Sequence, residues 1–215
     1  MKVKIINIVK ILFYGRRGTS KTFVRYLMKR GMRIGEGTTF YDPRTTKIDL
    51  TRPYLITIGN HVDITAGVTI LTHGYDWIVL HRKYGNILGS AGKVVIKDNV
   101  FIGMNATILK GVTVGSNSII GANSLVSKDV PDNVVVAGNP ARVIMTIDEY
   151  YKKRMSLQVD DAKELAEVYY ERYNTKPPIE IFTKQFSWIF LKSESNPDPF
   201  YDGYTKFLKS IGILK

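Results

Sequence analysis

The chain has 215 residues, 44% of them hydrophobic and 23% charged, which is enough to bury a core and lies outside the composition of disordered or collagen-like chains. It has no cysteine, so disulfides, thiolate metal sites and cysteine nucleophiles are excluded. The net charge of +12 points toward nucleic acid only until its distribution is read.

Residues 1–33 are predicted to form a basic N-terminal helical segment. Ten Lys or Arg and no acid lie between Met1 and Gly35, leaving about +2 for the rest of the chain. Lys2, Lys4 and Lys10 interrupt the apolar run, so neither a membrane span nor a signal-peptide core with a cleavage site is predicted, and a soluble, cytoplasmic protein is the expectation. Phe23, Tyr26 and Leu27 recur at helical spacing and predict a short basic amphipathic helix over Ser20 to Lys29, capped by Thr19 or Ser20. This segment reads as a solvated basic face packed on the main domain or as a patch for an anionic membrane or polysaccharide surface. Nucleic acid is not expected, because no aromatic RNA-binding motif or zinc-finger spacing accompanies the charge.

The middle of the chain repeats every six residues. Ile58, Ile64, Ile70, Ile96, Ile102, Ile108, Val114, Ile120 and Val126 open nine hexapeptides. Ile and Val make up 43 of 215 residues, so a chance run of nine has a probability on the order of 5 × 10⁻⁷. The fifth residue of each hexapeptide is small or β-branched (Val62, Val68, Gly74, Val100, Ala106, Val112, Ser118, Ser124, Val130), so both positions are predicted to face inward. The fourth is His61, Gly67, His73, Asn99, Asn105, Gly111, Asn117, Asn123 or Asp129, residue types that tolerate positive φ. Short strands bent at regular corners predict a β-solenoid whose coils bury their apolar faces against one another. Two irregular segments interrupt it: FYDPRTTKIDLTRPYLI, between Phe40 and Ile56, and an excursion over 74–92 where the register is offset by about 20 residues. After Ile144 the pattern becomes helical: Ile147 to Leu157, then Asp161 to Tyr173 capped by Asp160 and stopped by Pro177-Pro178. Residues 179–192 are apolar and ambiguous; a turn at Asn196-Pro197-Asp198-Pro199 precedes a last helix near Phe200 to Ser210. Phe186, Trp188, Phe190 and Phe207 are read as core or docking residues.

The stretches IKDNVFIGMNATILKGVTVGSNSIIGANSLVSKDV and AGNPARVI resemble the hexapeptide-repeat acyltransferase superfamily, and within it the galactoside, maltose and polysaccharide O-acetyltransferases. The resemblance implies a mainly β fold: a left-handed parallel β-helix over 34–145, with a short N-terminal helix and a C-terminal helical appendage over 146–215. The left hand comes from the resemblance alone, since crossover preference would favour the right. It further implies acetyl-CoA as acyl donor, a sugar hydroxyl as acceptor, and a homotrimer with sites between chains. No metal is expected: relatives that hold zinc use two His five residues apart, whereas His61, His73 and His81 are spaced by 12 and 8.

In this resemblance His73, within VTILTHGYD, is the general base, although its register would equally suit a corner residue. Asp76 is the nearest acid in sequence to orient it, or a solvated loop residue. The backbone N–H of Met104 would hold the oxyanion. Phe101, Gly103 and Met104 would line the thioester end of the coenzyme, Ala122 the pantetheine, Ser127 and Lys128 the nucleotide, with Pro140 and Arg142 of GNPAR closing the site. Lys128 and Arg142 suit a polyanionic tail on charge alone. Tyr41, Asp42, Asp49 and Arg52 are acceptor candidates by location, a sugar requiring carboxylates and an aromatic face. An N-acyltransferase and a silent scaffold remain as alternatives.

Overall fold

A computed structural model describes residues 2–183, 185, 186, 189 and 199–214. The chain divides into two compact units, Met1–Tyr150 and Tyr151–Lys215.

The first unit begins with helix α1 (Lys2–Tyr14), which the sequence reading did not include, followed by the expected α2 (Ser20–Lys29). Thr19 starts α2 through a reciprocal cap: its hydroxyl accepts from the Thr22 N–H, and the Thr22 hydroxyl accepts from the Thr19 N–H. The helix buries Phe23 and Leu27, and Phe23 meets Phe40 edge-on with ring centroids 5.1 Å apart. The basic residues therefore fall on its outer side.

Three parallel sheets follow, visited in rotation. The first sheet is Arg33–Ile34, Ile56–Ile58, Val94–Ile96 and Thr113–Val114; the second Thr39–Phe40, Asp63–Ile64, Phe101–Ile102, Ile119–Ile120 and Val134–Ala137; the third Lys47–Ile48, Thr69–Ile70, Thr107–Ile108 and Leu125–Val126. Hexapeptide starts stack on one another: Ile58 on Ile96 and Val114, Ile64 on Ile102 and Ile120, Ile70 on Ile108 and Val126. All nine are buried, as are the fifth positions except Gly74. A β-branched or small side chain fills each inward hexapeptide slot, Ala106, Ser118 and Ser124 among them, so the coils share one continuous, mainly apolar core.

The corners follow the expected residue types with two exceptions. His61, Asn99, Asn105, Asn117 and Asn123 hold φ between 52° and 58°, and Gly67 and Gly111 lie at 75° and 82°. Side-chain amides also pass along one corner: Asn99 Nδ2 donates to Asn117 Oδ1 (2.8 Å) and Asn117 Nδ2 to Asn133 Oδ1 (3.0 Å). His73 is not a corner, because the chain leaves the coil there as the short strand His73–Gly74, antiparallel to Ser90–Ala91. Asp129 is not one either. After Val126 the chain rejoins the first sheet at Val130, which bridges Val114, two residues earlier than the repeat demands, and the next corner falls at Asn133 with φ 60°.

The excursion carries helix α3 (Trp77–Tyr84) and is closed at its neck by the Gly92 N–H donating to the Thr72 carbonyl (2.9 Å). The coil ends on Arg142–Thr146, which turns back antiparallel along Val134–Ala137.

In place of the two predicted helices there is one, α4 (Ile147–Tyr173), 27 residues long. Gln158-Val159-Asp160 contains neither Gly nor Pro, and Arg154 bridges this stretch to Asp161 at 2.6 Å, so nothing breaks the backbone there. Asn174 at φ 50° ends the helix. The second unit packs Ala162 and Ala166 of α4 with Phe182, Phe186, Tyr204, Phe207 and Leu208, the last three from α5 (Pro199–Ser210). Phe186 and Phe207 are thus core residues, while Trp188, Phe190 and the turn at 196–198 lie outside the described residues. The Tyr204 hydroxyl donates to the Pro177 carbonyl, and burial pushes it up to about 12.

Candidate active site

His73 sits where the third sheet hands over to the excursion, and its partner comes from the coil below. Ile48 pairs with Ile70, so residues 49–51 run beside residues 71–73. Asp49 Oδ2 lies 2.5 Å from His73 Nδ1, with 4% of the Asp49 side chain and 12% of the His73 side chain exposed. The same carboxylate accepts from the Thr51 N–H (2.9 Å), the Thr51 hydroxyl (2.6 Å), the Thr72 N–H (3.2 Å) and the Thr72 hydroxyl. Burial alone would raise the Asp49 carboxyl, but the donors from Thr51, Thr72 and His73 outweigh it and hold it well below the usual carboxylate range. The imidazole therefore faces a fixed anion at Nδ1. Its ring meets Tyr75 edge-on at 4.8 Å. The pair opens into a cleft of about 340 Å³ lined by Arg17, Lys47, Ile48, Asp49, Leu71 and His73.

This geometry corrects the reading of Asp76. Asp76 precedes the first turn of α3, where the chain has already bent away, and the residue that holds the histidine is Asp49, 24 positions earlier. By sequence alone Asp49 falls among the acceptor candidates. Thr51 and Thr72 were not singled out at all.

The other predicted residues fall in separate places. Tyr41 and Asp42 line a pocket of about 350 Å³ beside the N-terminal segment, where Asp42 pairs with Arg44 at 3.0 Å and is held low by it. Arg52 precedes the 3₁₀ turn Pro53–Leu55. Phe101 lines a groove on the outer side of the second sheet. Gly103, Met104 and Ala122 stand at the corner between the second and third sheets. A Cβ on Gly103 would come within 2.5 Å of the Ala122 nitrogen, so stacking of the coils is itself reason for a glycine there. The Met104 carbonyl accepts from the Asn123 N–H (2.7 Å), while its own N–H has no partner among the described residues. Lys128 and Arg142 share a cleft of about 230 Å³, with Ser127 exposed at its edge and Pro140 following a cis peptide. Among the described residues no three His, Asp or Glu side chains gather as metal ligands.

The family profile Bacterial transferase hexapeptide (six repeats) matches residues 93–128, the most regular part of the coil. Protein CapG of Staphylococcus aureus is 42% identical over 138 residues, covering 64% of this chain and 77% of CapG. The chain belongs to the hexapeptide-repeat acyltransferases. Among other members of this acyltransferase family, the galactoside O-acetyltransferase of Escherichia coli is 39% identical over 127 residues, 57% of this chain and 61% of that enzyme. The crystal structure of a hexapeptide-repeat acetyltransferase from Vibrio cholerae complexed with acetyl coenzyme A matches with 34% identity and a TM-score of 0.46, over 54% of this chain and 60% of that one. The chain thus spans less than two thirds of these last two acyltransferases.

Proposed function

We propose that the chain is an acetyl-CoA-dependent O-acetyltransferase that modifies a sugar hydroxyl in the assembly of a surface polysaccharide or glycoconjugate. The observation that carries this reading is the Asp49–His73 pair. An anion at Nδ1 keeps the ring proton there and leaves Nε2 with a free lone pair. Nε2 takes the proton of the acceptor hydroxyl as its oxygen attacks the thioester carbonyl. The oxyanion that forms is held by the Met104 N–H, which has no partner among the described residues. The carbon–sulfur bond then breaks, the leaving sulfur takes the proton from Nε2, and the products are the acetyl ester and free CoA thiol. No covalent enzyme intermediate is required.

Acetyl-CoA as donor is supported by the acetyltransferase relatives and by the cationic cleft of Lys128 and Arg142, which suits the phosphates of a nucleotide tail. The use of acetyl-CoA sets the reaction in the cytoplasm. His73 follows the third sheet, whereas Met104 and Ala122 precede it, so one full sheet separates base from oxyanion donor within a chain. A trimer of left-handed β-helices, with His73 from one copy meeting Met104 and Ala122 of the next, brings them together. In this arrangement residues 34–145 hold the chemistry, and residues 1–33 and 146–215 are appendages. A screen of sugar acceptors that follows release of CoA thiol tests the reading: acceptor-dependent thiol release from the wild type supports it, and no acetyl-CoA binding by the intact protein removes it. For the shared site, a stable, fully active monomer in sedimentation equilibrium would sink the trimer.

A further inference from the structure

Helix α1 turns its polar side toward an open pocket of the first unit. Asn7, Lys10 and Tyr14 occupy one side of it and line the pocket completed by Asp42 and Arg44, with the Arg44 guanidinium 5.1 Å above the Tyr14 ring. Its backbone also approaches Gly18 so closely that a Cβ there would lie 2.5 Å from the Lys10 carbonyl oxygen. The opposite side carries Ile5, Ile6, Ile8, Val9, Leu12 and Phe13, a sector of about 160° at 3.6 residues per turn. All six are exposed, Leu12 and Phe13 at 78% and 80%. A helix that packs on a soluble core does the reverse.

We propose that this apolar side of α1 lies in the headgroup layer of an anionic membrane, with the helix parallel to the surface. Charge complementarity selects that occupant: Lys10, Lys21, Arg25, Lys29, Arg30 and Arg33 are exposed around and after it, and no acid precedes Glu36. A second copy of the chain would bring two such cationic segments together, which like-charge repulsion opposes. Thirteen residues span about 20 Å, short of a bilayer core of about 30 Å, and no helix among the described residues is long and apolar enough to cross a membrane. The helix therefore lies on the membrane instead of spanning it. This docking is independent of the acetyl-transfer chemistry proposed above.

The test uses the full chain with vesicles of phosphatidylcholine, alone or with phosphatidylglycerol, in co-sedimentation at low and high salt. Binding is expected to the anionic vesicles and to weaken with salt. The double variant Leu12→Asp, Phe13→Asp should reduce partitioning by about tenfold or more, with circular dichroism and oligomeric mass unchanged. As a measurement that keeps the native face, Phe13→Trp should add a blue-shifted emission on vesicle addition. Absence of binding at low ionic strength, unchanged binding by the double variant, or no spectral change for Phe13→Trp overturns the proposal. Loss of oligomeric mass in the double variant also overturns it, since a second copy would then be the occupant.

Discussion

Replacing Asp49 by Asn tests the site at its most informative point, because it changes charge while keeping shape. Two carboxylate oxygens accept from Thr51, Thr72 and His73 Nδ1, and every one of those partners approaches as a donor. An amide has one acceptor and one donor end, so one side of this arrangement must break. With its NH₂ toward His73, the ring has to receive at Nδ1, the proton moves to Nε2, and the base loses the lone pair that faces the acceptor. With its NH₂ toward Thr51, the amide N–H meets the Thr51 N–H, donor against donor. The first outcome should lower kcat by about 10²–10⁴, as expected for a misdirected tautomer. Either outcome should cost about 1–3 kcal/mol of stability through unmade buried hydrogen bonds. The stability effect has a sign in pH. Because the folded Asp49 carboxyl is depressed, its contribution is complete above the unfolded value of about 3.9 and is lost as pH falls below it, so acid unfolding of the wild type should be steeper than that of Asp49→Asn. Initial rates from CoA thiol release and chemical denaturation between pH 3 and 7 give both readouts. A variant with kcat within about threefold of wild type and unchanged stability would refute the assignment of Asp49 as the residue that positions the base.

Replacing His73 by Ala should lower turnover by about 10²–10⁴ with little change in acetyl-CoA affinity, while His61→Ala should leave turnover intact and cost about 1 kcal/mol for an alanine at φ 52°. Equal kinetic losses in both would remove the distinction. Lys128→Ala and Arg142→Ala should each raise KM for acetyl-CoA with kcat preserved, and a kcat loss at constant KM would assign these side chains to the chemical step. Gly103→Ala should destabilise by about 1–3 kcal/mol, because its Cβ meets the Ala122 backbone; an unchanged Tm in thermal unfolding would contradict the stacking argument.

The coil was legible because its physics is local and repetitive. A β-branched or small residue must fill each inward slot and a residue tolerant of positive φ must turn each corner, so the nine starts and seven of the nine corners follow from sequence alone. His73 and Asp129 break the corner rule for reasons the hexapeptide does not contain: one begins an arm, and the other lies in a turn two residues short. Asp49 escaped as the partner of His73 because the coil from Ile48 to Ile70 spans 22 residues and its register cannot be counted in sixes. The signal was nonetheless present, since Ile48-Asp49 and Ile70-Leu71 occupy equivalent ends of successive strands. Helix α1 was missed for a different reason. Its apolar side was judged against membrane spans and signal peptides, and an outward-facing helix is neither.

The neck of the excursion separates two kinds of variation. Strand Val94–Ile96 pairs with Ile56–Ile58 in the same register as if the 20 residues 73–92 were absent, and the Gly92–Thr72 hydrogen bond closes the junction. The coil thus imposes no length on what hangs beyond the paired strands His73–Gly74 and Ser90–Ala91. An arm of different size can be exchanged there while the stacking frame, and with it the Asp49–His73 spacing, stays fixed, so this junction is a natural graft point for altering the surroundings of the cleft without redesigning the core.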